Sequence, residues 1–219
     1  MEVRVLRNIL DVNDRLAQEN ESVLKDAGVF SVNIMSSPGS GKTSLISRSI
    51  QELKDQYRIT VIEGDIQGQV DAEKISKLGT PCVQVNTGGA CHLDAHALRE
   101  AIRQVDLKAT DLLFIENVGN LVCPAEFKLG IDRSVMILSL PEGEDKPLKY
   151  PLMFHVSQCL LINKIDLRNV CEFNHDRVKE AAAHINPHME IIPISCVTGE
   201  GFDRWTEWLT AQIKQSHGG

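Results

Sequence analysis

The run Ser36-Ser37-Pro38-Gly39-Ser40-Gly41-Lys42-Thr43-Ser44 combines glycines, a lysine and hydroxyls at the spacing that grips a polyphosphate. Gly39 and Gly41, with Pro38 and Ser40 between and before them, let successive backbone N–H groups turn inward on phosphate oxygens. Lys42 supplies a point charge to the β and γ phosphates, and Thr43 a hydroxyl for Mg²⁺. A helix beginning there adds its positive N-terminal end. Ser36 stands where such loops usually open with Gly, so a residue carrying a Cβ must make the first turn.

Acids fall where that loop needs them. Asp111-Leu112-Leu113-Phe114-Ile115-Glu116 is an apolar strand ending in a carboxylate that can hold Mg²⁺, and Gly119 can offer its N–H to a γ-phosphate. Glu63-Gly64-Asp65 ends another strand, with Asp71 shortly beyond. Asp65 or Asp71 is a candidate for Mg²⁺ or for the attacking water, and Asp71 reads equally as a helix cap. Lys42, Asp65, Asp71 and Glu116 are therefore the candidate catalytic groups. Asn163-Lys164-Ile165-Asp166 follows a further strand. Asp166 can accept from both guanine N1–H and the 2-amino group, a donor pair adenine lacks, while Lys164 lays its stem over the base. Ser195-Cys196 opens a second loop whose backbone meets the base oxygen. The expected nucleotide is GTP, with Mg²⁺.

A second chemistry lies in Cys91, His92 and Cys123. Thiolate and imidazole suit Zn²⁺ or Ni²⁺ rather than Mg²⁺ or Ca²⁺. Cys91-His92 sits at a loop-to-helix junction, and His96, four residues after His92, is expected on the same helical face. Three ligands leave an open position, a place for His96, or a share in a dimer interface.

These groups need a scaffold. Short apolar runs at 29–35, 58–63, 81–86, 111–116, 133–140, 156–162 and 190–195 alternate with amphipathic stretches at 42–55, 69–78, 92–105, 175–185 and 202–214. Continuous apolar runs such as Leu112 to Ile115 are those of strands covered on both faces. The expected architecture is α/β: a three-layer P-loop NTPase fold, its mostly parallel sheet flanked by helices. An N-terminal helix within 1–28, with the stripe Val5, Ile9, Val12, Leu16 and Leu24, packs on a nucleotide-binding domain spanning 29–219. The segment 141–150 reads as a charged loop. A net charge of −7 in 219 residues argues against nucleic acid as a partner. No apolar run approaches the roughly 20 residues of a membrane span, and no signal peptide is visible, so a cytoplasmic protein is expected. The six cysteines are widely spaced and read as reduced thiols.

Ser36 to Thr43, Asn86-Thr87-Gly88, Cys91-His92-Leu93-Asp94-Ala95, Glu116 to Pro124 and Asn163 to Asp166 together resemble the HypB family, GTPases that help insert nickel into [NiFe]-hydrogenase. The resemblance runs from about Asn8 to the C-terminus. It implies a SIMIBI-class fold, slow GTP hydrolysis and a homodimer promoted by GTP. It also implies a Zn²⁺/Ni²⁺ site at the dimer interface built from Cys91, His92 and Cys123. Hydrogenase maturation proteins and the hydrogenase large subunit are the implied partners. Some members add an N-terminal Cys- or His-rich nickel motif; residues 1–30 hold neither residue, so no separate nickel site is expected there. A related family serving urease, UreG, carries Cys-Pro-His in place of Cys-His-Leu-Asp-Ala. A metal-binding protein gated by nucleotide, with incidental turnover, is the reading from a different class.

Overall fold

The structure is a computed structural model that describes residues 9–66 and 70–217. Seven strands form one parallel sheet: β1 (Phe30–Ser36), β2 (Ile59–Asp65), β3 (Cys82–Asn86), β4 (Leu112–Glu116), β5 (Arg133–Ser139), β6 (Cys159–Asn163) and β7 (Glu190–Pro193), in the order β3-β2-β4-β1-β5-β6-β7. All seven expected strands form, and the α/β three-layer architecture is as expected. β1 is central and buried on both faces, with Phe30, Val32 and Ile34 on one and Ser31, Asn33 and Met35 on the other. It pairs with β4 (Ile34 beside Glu116) and with β5. β4 in turn pairs with β2, placing Glu63 beside Glu116. The tips of β1, β2 and β4 therefore converge at one edge of the sheet.

Alternate residues of the strands face two helical layers. Phe30, Val32 and Ile34 point to the layer of α2 (Lys42–Leu53), α3 (Val70–Ser76) and α9 (Phe202–His217), where they meet Leu45, Ile50, Ile75 and Trp205. Trp205 is fully buried and satisfies its indole by donating to Ser49 Oγ at 2.9 Å. The opposite face carries two apolar clusters. Ile62, Leu113 and Ile115 lie against Leu24 of α1 (Ile9–Asp26) and Leu98 of α4 (Ala95–Ile102). Met136, Leu138 and Leu160 lie against α7 (Pro151–Val156) and α8 (His175–Ile185), through Phe154 and Val178. Between these clusters β1 presents Ser31 and Asn33, both buried, to Asp132 and Asn117. The seam under the central strand is polar, and α1 lies along it.

Four sequence expectations are corrected. The first helix buries Asn13, Ala17, Asn20 and Leu24, while Val12 is 50% exposed. The inward face follows the two asparagines, which find backbone partners, rather than the apolar stripe; residues 1–8 lie outside those described. The segment 141–150 is not a plain loop: a 3-10 turn spans Leu140–Glu142 and α6 spans Lys146–Lys149. The strand expected from 156 starts at Cys159 because Pro151 begins α7. The helix expected over 92–105 begins at Ala95, where Asp94 caps it by accepting from Ala97 N–H at 2.7 Å. Gln69, the expected start of α3, lies outside the described residues. No described helix is long and apolar enough to cross a membrane.

Candidate functional site

The phosphate loop needs no glycine at Ser36. That residue ends β1, fully buried, and donates from Oγ to Ser37 O at 2.7 Å. The left-handed positions fall later, at Gly39 (φ +76°) and Gly41 (φ +106°). Gly41 is required twice over, since a Cβ there would also lie 2.5 Å from Asn163 Nδ2. Lys42 starts α2 and folds back toward Ser36 Oγ at 3.5 Å. Pro38 packs directly on Gly119, whose Cβ position is 3.0 Å from Pro38 Cα. Ser40 is buried and donates to Glu142 Oε2 at 2.7 Å, so the 140–142 turn braces the loop. Ser44 is exposed at the first turn of α2.

Thr43 Oγ1 donates to Glu116 Oε1 at 2.9 Å. Burial pushes the Glu116 carboxyl up to about 7, against the pull of Lys42 and Thr43. Glu63, equally buried at the tip of β2, is pushed up to about 8 by burial and by the neighbouring Glu116. One oxygen of each carboxyl is buried without a hydrogen-bond partner. Asp65, at the end of β2, accepts from Ile66 N–H at 2.6 Å. Asp71 lies in the first turn of α3, paired with Lys74 at 2.8 Å. Asp65 and Asp71 act on Glu116 and Glu63 through their charge. The unpartnered buried oxygens of Glu116 and Glu63, beside the Thr43 hydroxyl, have the chemistry of hard-cation ligands.

On the other flank, Asn163 ends β6 and donates from Nδ2 to Ser40 O at 2.9 Å, tying the base site to the phosphate loop. Its Oδ1 accepts from Cys196 N–H at 3.3 Å. Lys164 adopts the left-handed conformation (φ 64°), and its amine donates to Gly39 O at 2.7 Å. Asp166 Oδ1 accepts from Ser195 Oγ at 2.5 Å. Burial pushes the Cys196 thiol up to about 11, leaving it a neutral wall.

The structure brings Cys91, His92 and Cys123 together. Their ligand atoms all lie within 4.8 Å of one another, and they form such a group among the described residues while the Asp65, Asp71 and Glu116 carboxylates do not. Cys91 Sγ is 2.9 Å from Cys123 Sγ and 3.7 Å from His92 Nδ1. Such a span can close on one ion whose bonds to sulfur and nitrogen run about 2.0–2.3 Å. Hydrogen bonding to Cys91 lifts the Cys123 thiol, whereas burial lowers His92 and favours the neutral imidazole a metal requires. His92 stacks on Phe127 with ring centroids 4.0 Å apart. His96 is exposed within α4 and outside this group. His92 precedes the cap Asp94, so the two histidines do not share a helical face.

Three residues to which the sequence gives no role also shape these sites. Asn117, fully buried, accepts on Oδ1 from Leu93 N–H at 3.1 Å and from Val118 N–H at 2.9 Å, and donates to Asn33. It thus pins the residue after Cys91-His92 to the residue after Glu116. Arg48 of α2 donates to Cys196 O at 3.3 Å and holds the base loop. Glu63, which the sequence shows only as part of the strand end Glu63-Gly64-Asp65, is buried beside Glu116.

The CobW/HypB/UreG nucleotide-binding domain family matches residues 30–193. The hydrogenase maturation factor HypB of Escherichia coli (strain K12) is 47% identical over 205 residues, covering 94% of this chain and 71% of that protein. The HypB of Azotobacter vinelandii is 48% identical over 210 residues, covering 96% and 69%. The crystal structure of HypB from Helicobacter pylori in complex with nickel superposes with a TM-score of 0.89 at 36% identity, covering 93% of this chain and 96% of that one. The chain belongs to the HypB family.

Proposed function

We propose that this chain is a GTP-hydrolysing metallochaperone that helps insert nickel into [NiFe]-hydrogenase, acting in the cytoplasm as a GTP-promoted homodimer. The observation that carries the reading is the short run from Glu116 to Cys123, which belongs to both sites at once. Its first residue meets Thr43, its Gly119 packs on Pro38, and its last residue meets Cys91.

The phosphate loop and Lys42 hold the β and γ phosphates, and Asp166, Ser195 and the Cys196 backbone select guanine. Thr43 and Glu116 hold Mg²⁺, which neutralises charge on the transferring phosphoryl group. Asp65 or Asp71 orients the attacking water. When the γ-phosphate leaves, Gly119 loses its contact, and Asn117 and the 120–123 turn carry that change to Leu93 and Cys123. Nickel, the cargo, is held by Cys91, His92 and Cys123, with a further position for water or the partner subunit. Zn²⁺ suits the same donors.

Two measurements test this. Nickel affinity is expected to differ between the protein loaded with GDP and with a non-hydrolysable GTP analogue, with more dimer in the second. Equal affinities with no change in dimer would sink the coupling. Single-turnover GTP hydrolysis, abolished in Thr43→Ala, separates a GTPase from a metal-binding protein with incidental turnover.

A further inference from the structure

The two metal-bearing segments are separate in sequence, and each is short and partly exposed. Cys91 and His92 precede α4 by a few residues, and Cys123 opens the four-residue helix α5 (Cys123–Glu126). Local structure supplies little rigidity. Asn120 Nδ2 reaches Cys91 O at 3.3 Å, Phe127 stacks on His92, and neither contact fixes both segments to the body of the domain.

Asn117 ties Leu93 to the end of β4, and the tie that reaches the chain beyond both segments comes from α1. Asn13 and Asn20 are seven residues apart, two turns along one face, and both are buried. Asn13 Oδ1 accepts from Ala95 N–H at 2.9 Å, while its Nδ2 donates to Lys128 O at 2.8 Å. Asn20 Nδ2 donates to Ala95 O at 2.9 Å and to Leu129 O at 3.1 Å. Each asparagine therefore holds the chain just beyond Cys91-His92 and the chain just beyond Cys123-Phe127. Gly130 completes the seating. Its φ is +75°, and a Cβ there would lie 1.8 Å from Ala17 O, so the 128–130 strip lies flat on the helix backbone between the two asparagines. A helix packed only for stability would bury the apolar residues it has available, yet α1 leaves Val12 half exposed and turns two amides inward.

We propose that Asn13 and Asn20 are positioning residues of the metal centre: they hold the His92 and Cys123 segments at the mutual distance one ion requires. This rests on the reading of Cys91, His92 and Cys123 as a metal site. The asparagines touch backbone and not metal, so they act as the outer supports that orient ligands.

The test uses the full chain loaded with Co²⁺ or Ni²⁺. Asn13→Ala and Asn20→Ala are compared with Leu24→Ala, which removes buried apolar volume from the same helix, in the cluster that holds Leu93 and Leu129, but leaves the hydrogen bonds of both asparagines in place. The asparagine variants are expected to lose about 10- to 100-fold in metal affinity and to alter the thiolate-to-metal charge-transfer band. Leu24→Ala, with a comparable loss of Tm, keeps both, and all three keep GTP affinity. Where Asn13→Ala fails to fold, Asn13→Asp retains the acceptor for Ala95 N–H but loses the donor to Lys128 O, and is expected to weaken metal binding in the same direction. Folded asparagine variants with wild-type affinity and spectrum overturn the proposal. So does an equal loss in Leu24→Ala, which assigns the asparagines to stability alone. A wild-type chain that takes up neither ion overturns the metal-site reading itself, and the positioning role with it.

Discussion

The nucleotide site and the metal group lie side by side yet are built in opposite ways. The phosphate loop is one stretch of backbone at the end of a central strand, with its left-handed turns set by Gly39 and Gly41 and its walls formed by the tips of β4 and β6. The metal group is assembled from two loops that no strand pairs, and its geometry is borrowed from the side chains of Asn13, Asn20 and Asn117. A site made of backbone is rigid at the outset, as suits a ligand bound by its charge. A site held by side-chain tethers can change shape when single hydrogen bonds are lost, as the proposed release of nickel requires.

The largest expected effect breaks the second site and spares the first. Cys123→Ala removes one of three ligands and should lower nickel affinity by more than about 100-fold, since even outer supports are worth 10- to 100-fold. GTP affinity should stay within about twofold. Nickel titration beside nucleotide titration reads both; a parallel loss would show that the sites are one structural unit. The converse variant is Gly41→Ala. Its Cβ meets Asn163 and demands an unfavourable φ, at a cost of about 2–3 kcal/mol, or roughly 100-fold in nucleotide affinity. Nickel binding without nucleotide should be unchanged. Wild-type GTP affinity in that variant would mean the loop is not held by its backbone turns.

This contrast also explains what the sequence reveals. The seven strands and the phosphate loop are legible because their signals are contiguous: apolar runs, then Gly39, Gly41 and Lys42 at fixed spacing. The trio Cys91, His92 and Cys123 is legible as chemistry, since thiolate and imidazole are donors that suit a late metal. Its supports are not. Asn13 and Lys128 lie 115 positions apart, Asn20 and Leu129 109 apart, and an asparagine in a charged helix looks like a solvated residue. His96 misleads for the complementary reason: spacing of four implies a shared face only inside a helix, and the cap at Asp94 excludes His92. The turn at 140–142 was obscured by its charges, although Glu142 is held by Ser139 N–H and Ser40 Oγ.

The smallest expected effect concerns the cost of burying two carboxyls side by side in the nucleotide site. Glu63 sits beside Glu116 with its carboxyl pushed up to about 8, from an ordinary value of 4.5. Below about pH 4.5 the folded and unfolded chains both carry this proton. As pH rises, the unfolded chain releases it first, so the folded state binds more protons and its stability declines, levelling off above about pH 8. Glu63→Gln removes that contribution. In protein free of Mg²⁺ and nucleotide, the variant's Tm should run level with wild type near pH 4.5 and rise above it progressively toward pH 8. A gain of about 1 kcal/mol corresponds to about 2–4 °C in a chain of this size. Parallel Tm curves across that range would show that neither burial nor Glu116 holds Glu63 protonated. A divergence would show that burial, with Glu116 alongside, holds the Glu63 carboxyl protonated in the folded chain and costs stability as the pH rises.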